Sequence, residues 1–169
     1  MVDDFVRRKG YLTLGTRLKR IGDRLQADVQ QLFDAEEIPV QTAHCPLLAA
    51  LDDLGPLTVG DLAEALGVSQ PGITRTVGQL AKQGVVRVAR GRKDQRTKVV
   101  TLTEQGRVLV QRGERDVWPL IDACLAELCD NRQAPLLDQL DTLENALKDR
   151  SLFQRINAAE KTKMEGQDG

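Results

Sequence analysis

Nine basic residues fall between Ser69 and Arg107: Arg75, Lys82, Arg87, Arg90, Arg92, Lys93, Arg96, Lys98 and Arg107. Only Asp94 and Glu104 oppose them, so this segment carries +7. The whole 169-residue chain has a net charge of −1, which leaves −8 for the remainder. A cationic segment on an acidic body suits a polyanion, because each cation that meets a phosphate releases a condensed counterion. The densest stretch is Arg90-Gly91-Arg92-Lys93-Asp94-Gln95-Arg96, where four of seven residues are basic. An arginine on a thin hairpin can enter a minor groove, where narrow A·T tracts concentrate negative potential. Asp94 then has a physical role as the carboxylate that holds Arg96 in its inserting rotamer. Taken alone, such a loop is a solvated turn; the neighbouring elements decide its meaning.

Other chemistries find less support. The chain has one histidine, His44, which excludes a His–His zinc site and an HExxH protease within one chain. It shows no Ser/His/Asp set in a recognisable context, no phosphate-cradling glycine loop and no metal triad. Neither an enzyme, nor a metal site, nor a cofactor is therefore expected. Cys45 adjoins His44, and a nearby imidazolium favours thiolate, so Cys45 is a candidate redox-sensing thiol. The simpler reading is a cysteine buried at the start of an apolar helix. Cys124 and Cys129 are five apart on a helical stretch and point about 140° apart, so they cannot chelate one metal as a local pair. Three cysteines make no disulfide framework. Met1 to Gly10 lacks the apolar core of a signal peptide. The longest uncharged stretch, Ile38 to Leu51, falls short of the roughly 18 apolar residues of a membrane span. A cytoplasmic protein without a membrane partner is expected.

The elements that would position the basic residues can be read from periodicity. Aromatic residues are only 3% (Phe5, Tyr11, Phe33, Trp118 and Phe153), so aliphatic helix packing is the default. Leu14, Leu18, Ile21, Leu25, Val29 and Leu32 recur in steps of three and four, which predicts an amphipathic helix over Thr13–Ala35 ended by Pro39. A second helix is predicted over Pro46–Asp53, followed by the Gly55-Pro56 break. A third spans Thr58–Leu66, capped by Thr58 with Asp61 in a capping box and stopped by Gly67. Ser69 caps a fourth, with Pro71 in its first turn, Ile73, Val77, Leu80 and Ala81 inward, and Gly84 at its end. The opposite face offers Pro71, Arg75, Gly78, Gln79 and Lys82, with Gln70 and Thr74 at its edges and no acidic residue. Val85–Ala89 and Lys98–Leu102 then alternate as a hairpin around a polar tip. A long helix over Glu104–Cys129, kinked at Pro119, and a last one over Ala134–Asn157 complete the chain, with a polar, disordered tail over 158–169.

Helix, short turn, capped helix and hairpin make a helix-turn-helix with a wing, whose second helix is sized for a major groove about 12 Å wide. The fold class is thus mainly α with a small β-hairpin wing. Three amphipathic helices outside the winged core carry more apolar stripe than that core can cover, which predicts a homodimer.

The run Leu62-Ala63-Glu64-Ala65-Leu66-Gly67-Val68-Ser69, then Ile73-Thr74-Arg75, Leu80 with Gly84-Val85-Val86, Asp94-Gln95-Arg96 and Leu102-Thr103-Glu104-Gln105-Gly106 resembles the MarR-type transcriptional regulators. The motifs cover about residues 57–110, and Asp-x-Arg at the wing is the most specific of them. The resemblance implies a winged helix-turn-helix over 37–103, flanked by a dimerisation region from 1–36 and 104–157. It implies that Ser69, Gln70, Pro71, Thr74 and Arg75 face double-stranded DNA; the polar face of the same helix adds Gln79 and Lys82 as candidate contacts. In the wing, Arg90, Arg92 and Lys93 accompany Arg96 as the minor-groove residue and Asp94 as its support. The function so implied is sequence-specific transcriptional regulation, as a homodimeric repressor released from a pseudopalindromic operator by a small effector near His44 and Cys45. The alternatives are a Cys45-based redox switch and a winged-helix protein-interaction module without an operator. Gly72 and Gly78 depart from a rigid recognition helix, each costing about 1 kcal/mol against alanine.

Overall fold

The computed structural model describes residues 4–91, 97–129 and 136–149. The chain forms two compact units, Met1–Trp118 and Pro119–Gly169.

The first unit opens with two short pieces that periodicity does not announce, helix α1 (Phe5–Arg8) and a 3-10 turn over Gly10–Thr13. Asp4 caps α1 by accepting from the Arg7 amide at 3.2 Å. Its carboxylate also takes both Arg20 Nη atoms, at 3.2 and 2.9 Å, from helix α2 (Leu14–Ala35). Helix α2 stops four residues before Pro39. The Ile38 amide donates to the Phe33 carbonyl at 2.8 Å and the Glu37 amide to Asp34 at 3.3 Å, a Schellman closure. Glu37 takes the left-handed conformation that closure needs, at φ 52°. Chain reversal by backbone hydrogen bonds, rather than the proline, therefore ends this helix.

A 3-10 turn over Thr42–His44 leads into α3 (Cys45–Asp53), which buries Leu47, Leu48 and Leu51. Helix α4 (Val59–Leu66) has the capping box expected of it: Thr58 Oγ1 accepts from the Asp61 amide at 3.1 Å, and the Asp61 carboxylate accepts from the Thr58 amide at 3.1 Å. Gly67, at φ 63°, closes α4 as expected. Helix α5 (Gln70–Lys82) buries Ile73, Val77 and Leu80, while Ala81 lies exposed rather than inward. Gly84, at φ 75°, closes it by the same backbone motif, with the Val85 amide on the Leu80 carbonyl at 3.0 Å.

The sheet has three strands in the order β1-β3-β2. The hairpin strands are β2 (Val86–Arg90) and β3 (Lys98–Leu102), antiparallel with Val86 opposite Leu102 and Arg90 opposite Lys98. The added strand, β1 (Leu57–Thr58), pairs Leu57 with Val100 on the other edge of β3. Two residues are too few to show an alternation, so sequence periodicity could not reveal it. Val85, Val86, Val100 and Leu102 bring the sheet onto the core formed by α3, α4 and α5.

Thr103 locks the sheet to helix α6 (Glu104–Arg112). Its hydroxyl accepts from the Gly106 amide at 3.1 Å and donates to the Gly84 carbonyl at 2.6 Å. A Cβ at Gly106 would overlap the Val85 carbonyl oxygen, so only glycine permits this approach. The expected single helix over Glu104–Cys129 is interrupted by a π-helical turn, Gly113–Val117, before α7 (Trp118–Cys129) begins. The irregularity thus precedes Pro119. Proline has no N–H for the carbonyl four residues back and its ring crowds that group, and the wider turn accommodates both effects. The Trp118 indole lies over Gly113, where a Cβ would come within 2.9 Å of its nitrogen. In the second unit α7 is followed by α8 (Leu136–Asp149), inside the span expected of the last helix. The expected tail over 158–169 lies outside the described residues. The cysteines Cys45, Cys124 and Cys129 are free.

Candidate nucleic-acid interface

Helix α5 is oriented by its own sequence. Three aliphatic side chains anchor one face, and the Ser69 hydroxyl accepts from the Gly72 amide at 3.4 Å at its start. The face turned away from the core exposes Gln70, Pro71, Thr74, Arg75, Gln79 and Lys82, the residues read from the sequence. Two of them have local commitments. Thr74 Oγ1 donates to the Gln70 carbonyl at 2.9 Å. Gln70 turns its amide back over Gly60, whose Cβ position lies 3.5 Å from the Gln70 Nε2. Gly78 has open space where a side chain would stand, so the outer surface of the helix is flat there.

The hairpin lies beside this helix. Between them runs an open groove of about 340 Å³, lined by Val59, Thr74, Val77, Gly78, Val88, Ala89, Arg90 and Lys98. Arg87 and Arg90 are exposed on β2, and the register sets Arg90 directly opposite Lys98. Lys98 adds to the charge of the segment, but its spacing alone does not set it beside Arg90 at the groove; the strand register does. Two cations facing each other across a ladder repel. Among the described residues, no carboxylate pairs with Arg75, Lys82, Arg87, Arg90 or Lys98. Among the described residues, the groove edge is therefore a cationic rim without an ion-pair partner. The Gly91 amide donates to the Thr97 carbonyl at 2.9 Å at the base of the hairpin tip. Arg92, Lys93, Asp94 and Arg96 lie outside the described residues.

A family model described as the MarR family matches residues 38–97, the helix-turn-helix and most of the wing. A relative from Bacillus cereus, described as an uncharacterized HTH-type transcriptional regulator, is 39% identical over 102 residues, 60% of this chain and 67% of the relative. The chain belongs to the MarR family. It is a MarR-family transcriptional regulator, and its family is one of regulators rather than enzymes. Solved structures agree in fold. A cysteine-to-serine mutant of MarR from E. coli, complexed with operator DNA, matches at TM-score 0.64 and 21% identity, over 87% of this chain and 98% of that one. BpsR of Bordetella bronchiseptica, whose DNA binding is described as regulated by 6-hydroxynicotinic acid, matches at TM-score 0.59 and 22% identity, over 79% and 90%.

The region expected to receive an effector in this MarR-family regulator is nearly closed. The walls named from sequence do meet: Phe33 from α2, Cys45 and Leu48 from α3, and Leu109 and Val110 from α6, joined by Ile38, Val40, Gly113 and Trp118. The space they leave is about 10 Å³, the size of one water. His44 is buried, and burial holds its imidazole below the usual histidine range, against an opposing hydrogen bond with Gln79. Burial pushes the Cys45 thiol up to about 11. A neutral imidazole and a desolvated thiol are the reverse of the arrangement that makes a sensor cysteine reactive. Among the described residues, no helix is long and apolar enough to cross a membrane.

Proposed function

We propose that this MarR-family regulator is a homodimeric repressor that binds a pseudopalindromic operator, each winged lobe reading one half-site. The observation that carries the reading is the cationic rim: Arg75 and Lys82 on α5, with Arg90 opposite Lys98, have no carboxylate among the described residues to neutralise them. Ser69, Gln70, Pro71, Thr74, Arg75, Gln79 and Lys82 face the major groove in this reading. Arg90 with Arg92, Lys93 and Arg96 forms the wing contact in the minor groove, and Asp94 supports Arg96. The operator-bound MarR neighbour supports double-stranded DNA as the partner.

Dimerisation is supported by helix α2, whose Leu18, Ile21 and Leu25 remain 40%, 46% and 39% exposed on one stripe of a single chain. An aliphatic stripe of that kind is covered most simply by its symmetry mate, together with the helices after residue 104. Repression follows sterically where the bound dimer overlaps a promoter. The BpsR neighbour supports release by a small effector. The closed cavity beneath Cys45 means that an effector entering there must displace its walls.

The test is binding of the purified protein to DNA upstream of its own coding region, against random DNA, at two salt concentrations. Saturable, selective binding of one dimer per site is expected, with affinity falling steeply as salt rises. Equal, weak affinity for both DNAs, followed by a genome-wide selection that enriches no fragment, would overturn the reading.

A further inference from the structure

Helix α5 carries two glycines, and the described residues account for only one of them. A Cβ at Gly72 would stand 3.3 Å from the Ser69 hydroxyl that caps the helix, so the first turn is built close there. Gly78 lies in the body of the helix on its exposed face, where glycine weakens a helix relative to every residue but proline. Its backbone is ordinary right-handed helix, and among the described residues a Cβ there would meet nothing within 4 Å. Neither conformation nor packing therefore requires glycine at 78. What distinguishes the residue is its position. Arg75 and Lys82 flank it on the same face, three residues before and four after. It also forms part of the wall of the groove between α5 and the hairpin.

That groove combines two chemistries. Val59, Val77, Val88 and Ala89 make apolar walls, and Arg90 with Lys98 opposite it supplies positive charge at the rim. The two like charges repel across the ladder, and an anion beside them relieves that repulsion. A deoxynucleotide strand has the matching character, an apolar sugar edge alternating with a phosphate. The location matches as well. One sugar–phosphate strand separates a major groove from the minor groove next to it, so with α5 in the first and the hairpin tip in the second that strand crosses between them. We propose that the groove between α5 and the hairpin seats this strand, and that Gly78 admits it by leaving the helix surface without a side chain at the crossing. Arg90 and Lys98 hold a phosphate of the strand, and Val88 packs against a sugar. The inference rests on the DNA-binding reading above and adds to it a contact that positions the duplex without reading its bases.

Alanine and leucine both favour helix over glycine, so Gly78→Ala and Gly78→Leu should melt at or above the wild-type temperature while binding DNA more weakly. Affinity is measured on a duplex that the wild type enriches from random sequence. Gly78→Leu is expected to lose about tenfold, the worth of one phosphate contact at about 0.1 M salt, and Gly78→Ala less. Lys98→Gln should lower the dependence of log affinity on log salt by about one in the wild type, and by clearly less in Gly78→Leu, where the strand is already held away from Lys98. Selection repeated with Gly78→Leu should return the wild-type sequence preference. Wild-type affinity in a folded Gly78→Leu protein overturns the inference. Equal losses in Gly78→Ala and Gly78→Leu assign the glycine to helix flexibility, and additive effects of Gly78→Leu and Lys98→Gln assign the two residues to separate contacts; either result overturns the proposed seat. A preference altered at one base pair places a base rather than the strand against Gly78, and overturns it too. In all of these outcomes the wild type still selects its duplex and the DNA reading stands. A wild type that enriches no sequence overturns the DNA reading and this inference with it.

Discussion

His44 and Cys45 are adjacent in sequence, yet burial acts on them in opposite chemical senses that lead to one result, two uncharged groups. For His44 the folded-state pKa lies below the ordinary histidine value of 6.5 because burial disfavours the imidazolium. An unfolded chain therefore binds the proton more readily than the folded one. The contribution to stability is complete above pH 6.5 and is lost as the pH falls through the folded value. Urea unfolding of wild type and His44→Gln at about pH 7.5 and about pH 5 is expected to show a steeper acid loss for wild type; parallel losses would remove His44 as the cause. For Cys45, a thiol pushed up to about 11 is almost wholly protonated at neutral pH. A disulfide reagent at mildly alkaline pH should modify the exposed Cys124 well before Cys45, and peroxide should leave DNA affinity unchanged. Rapid, stoichiometric labelling of Cys45 in a Cys124→Ser/Cys129→Ser background would restore the redox alternative.

The elements are held by a few repeated devices. Helices α2, α4 and α5 all end in the same backbone closure, with Glu37, Gly67 and Gly84 in the left-handed position. Two of these are glycines and meet no steric penalty there; Glu37 does. Its side chain is exposed, so Glu37→Gly should stabilise the protein by about 0.5–1 kcal/mol, read as a shift in the chemical denaturation midpoint. A destabilised variant would mean that the glutamate side chain contributes more than its backbone costs. The junction of sheet and α6 depends on close approach instead. Gly106→Ala must push α6 off the Val85 carbonyl, and a loss of about 1–3 kcal/mol is expected in the same assay. Because α6 also lines the cavity beneath Cys45, through Leu109 and Val110, that variant should loosen the effector region as well as the wing.

At the scale of the molecule, the two proposed functions of the chain, dimerisation and DNA binding, use surfaces of opposite character. The stripe of Leu18, Ile21 and Leu25 on α2 is aliphatic, and the rim formed by α5 and the hairpin is cationic. Ile21→Glu should therefore leave the winged core folded but give monomers by analytical ultracentrifugation. DNA affinity should then fall about tenfold or more, since each lobe would bind its half-site alone. A dimeric Ile21→Glu protein would place the interface elsewhere. Salt should weaken the DNA complex and leave the dimer intact, because counterion release accompanies phosphate contacts and not aliphatic burial.

Much of this was legible in the chain itself, for a definite reason. Caps, turns and amphipathic stripes are local: Thr58 with Asp61, Ser69 before Pro71, Gly67 and Gly84 each act within about one helical turn, so residue types and spacing already determine α4, α5 and the two strands that follow. The exposed face of α5 followed from its buried one. The rest required contacts between residues far apart in sequence. Strand β1 exists because Leu57 meets Val100, α1 is tied down because Asp4 meets Arg20, and Lys98 stands beside Arg90 at the groove because β3 sets it there. The chemistry of His44 and Cys45 was likewise undetermined by their adjacency. Desolvation depends on what the fold packs around a group, and it acts on His44 and Cys45 because the fold buries them, not because they are neighbours in the chain.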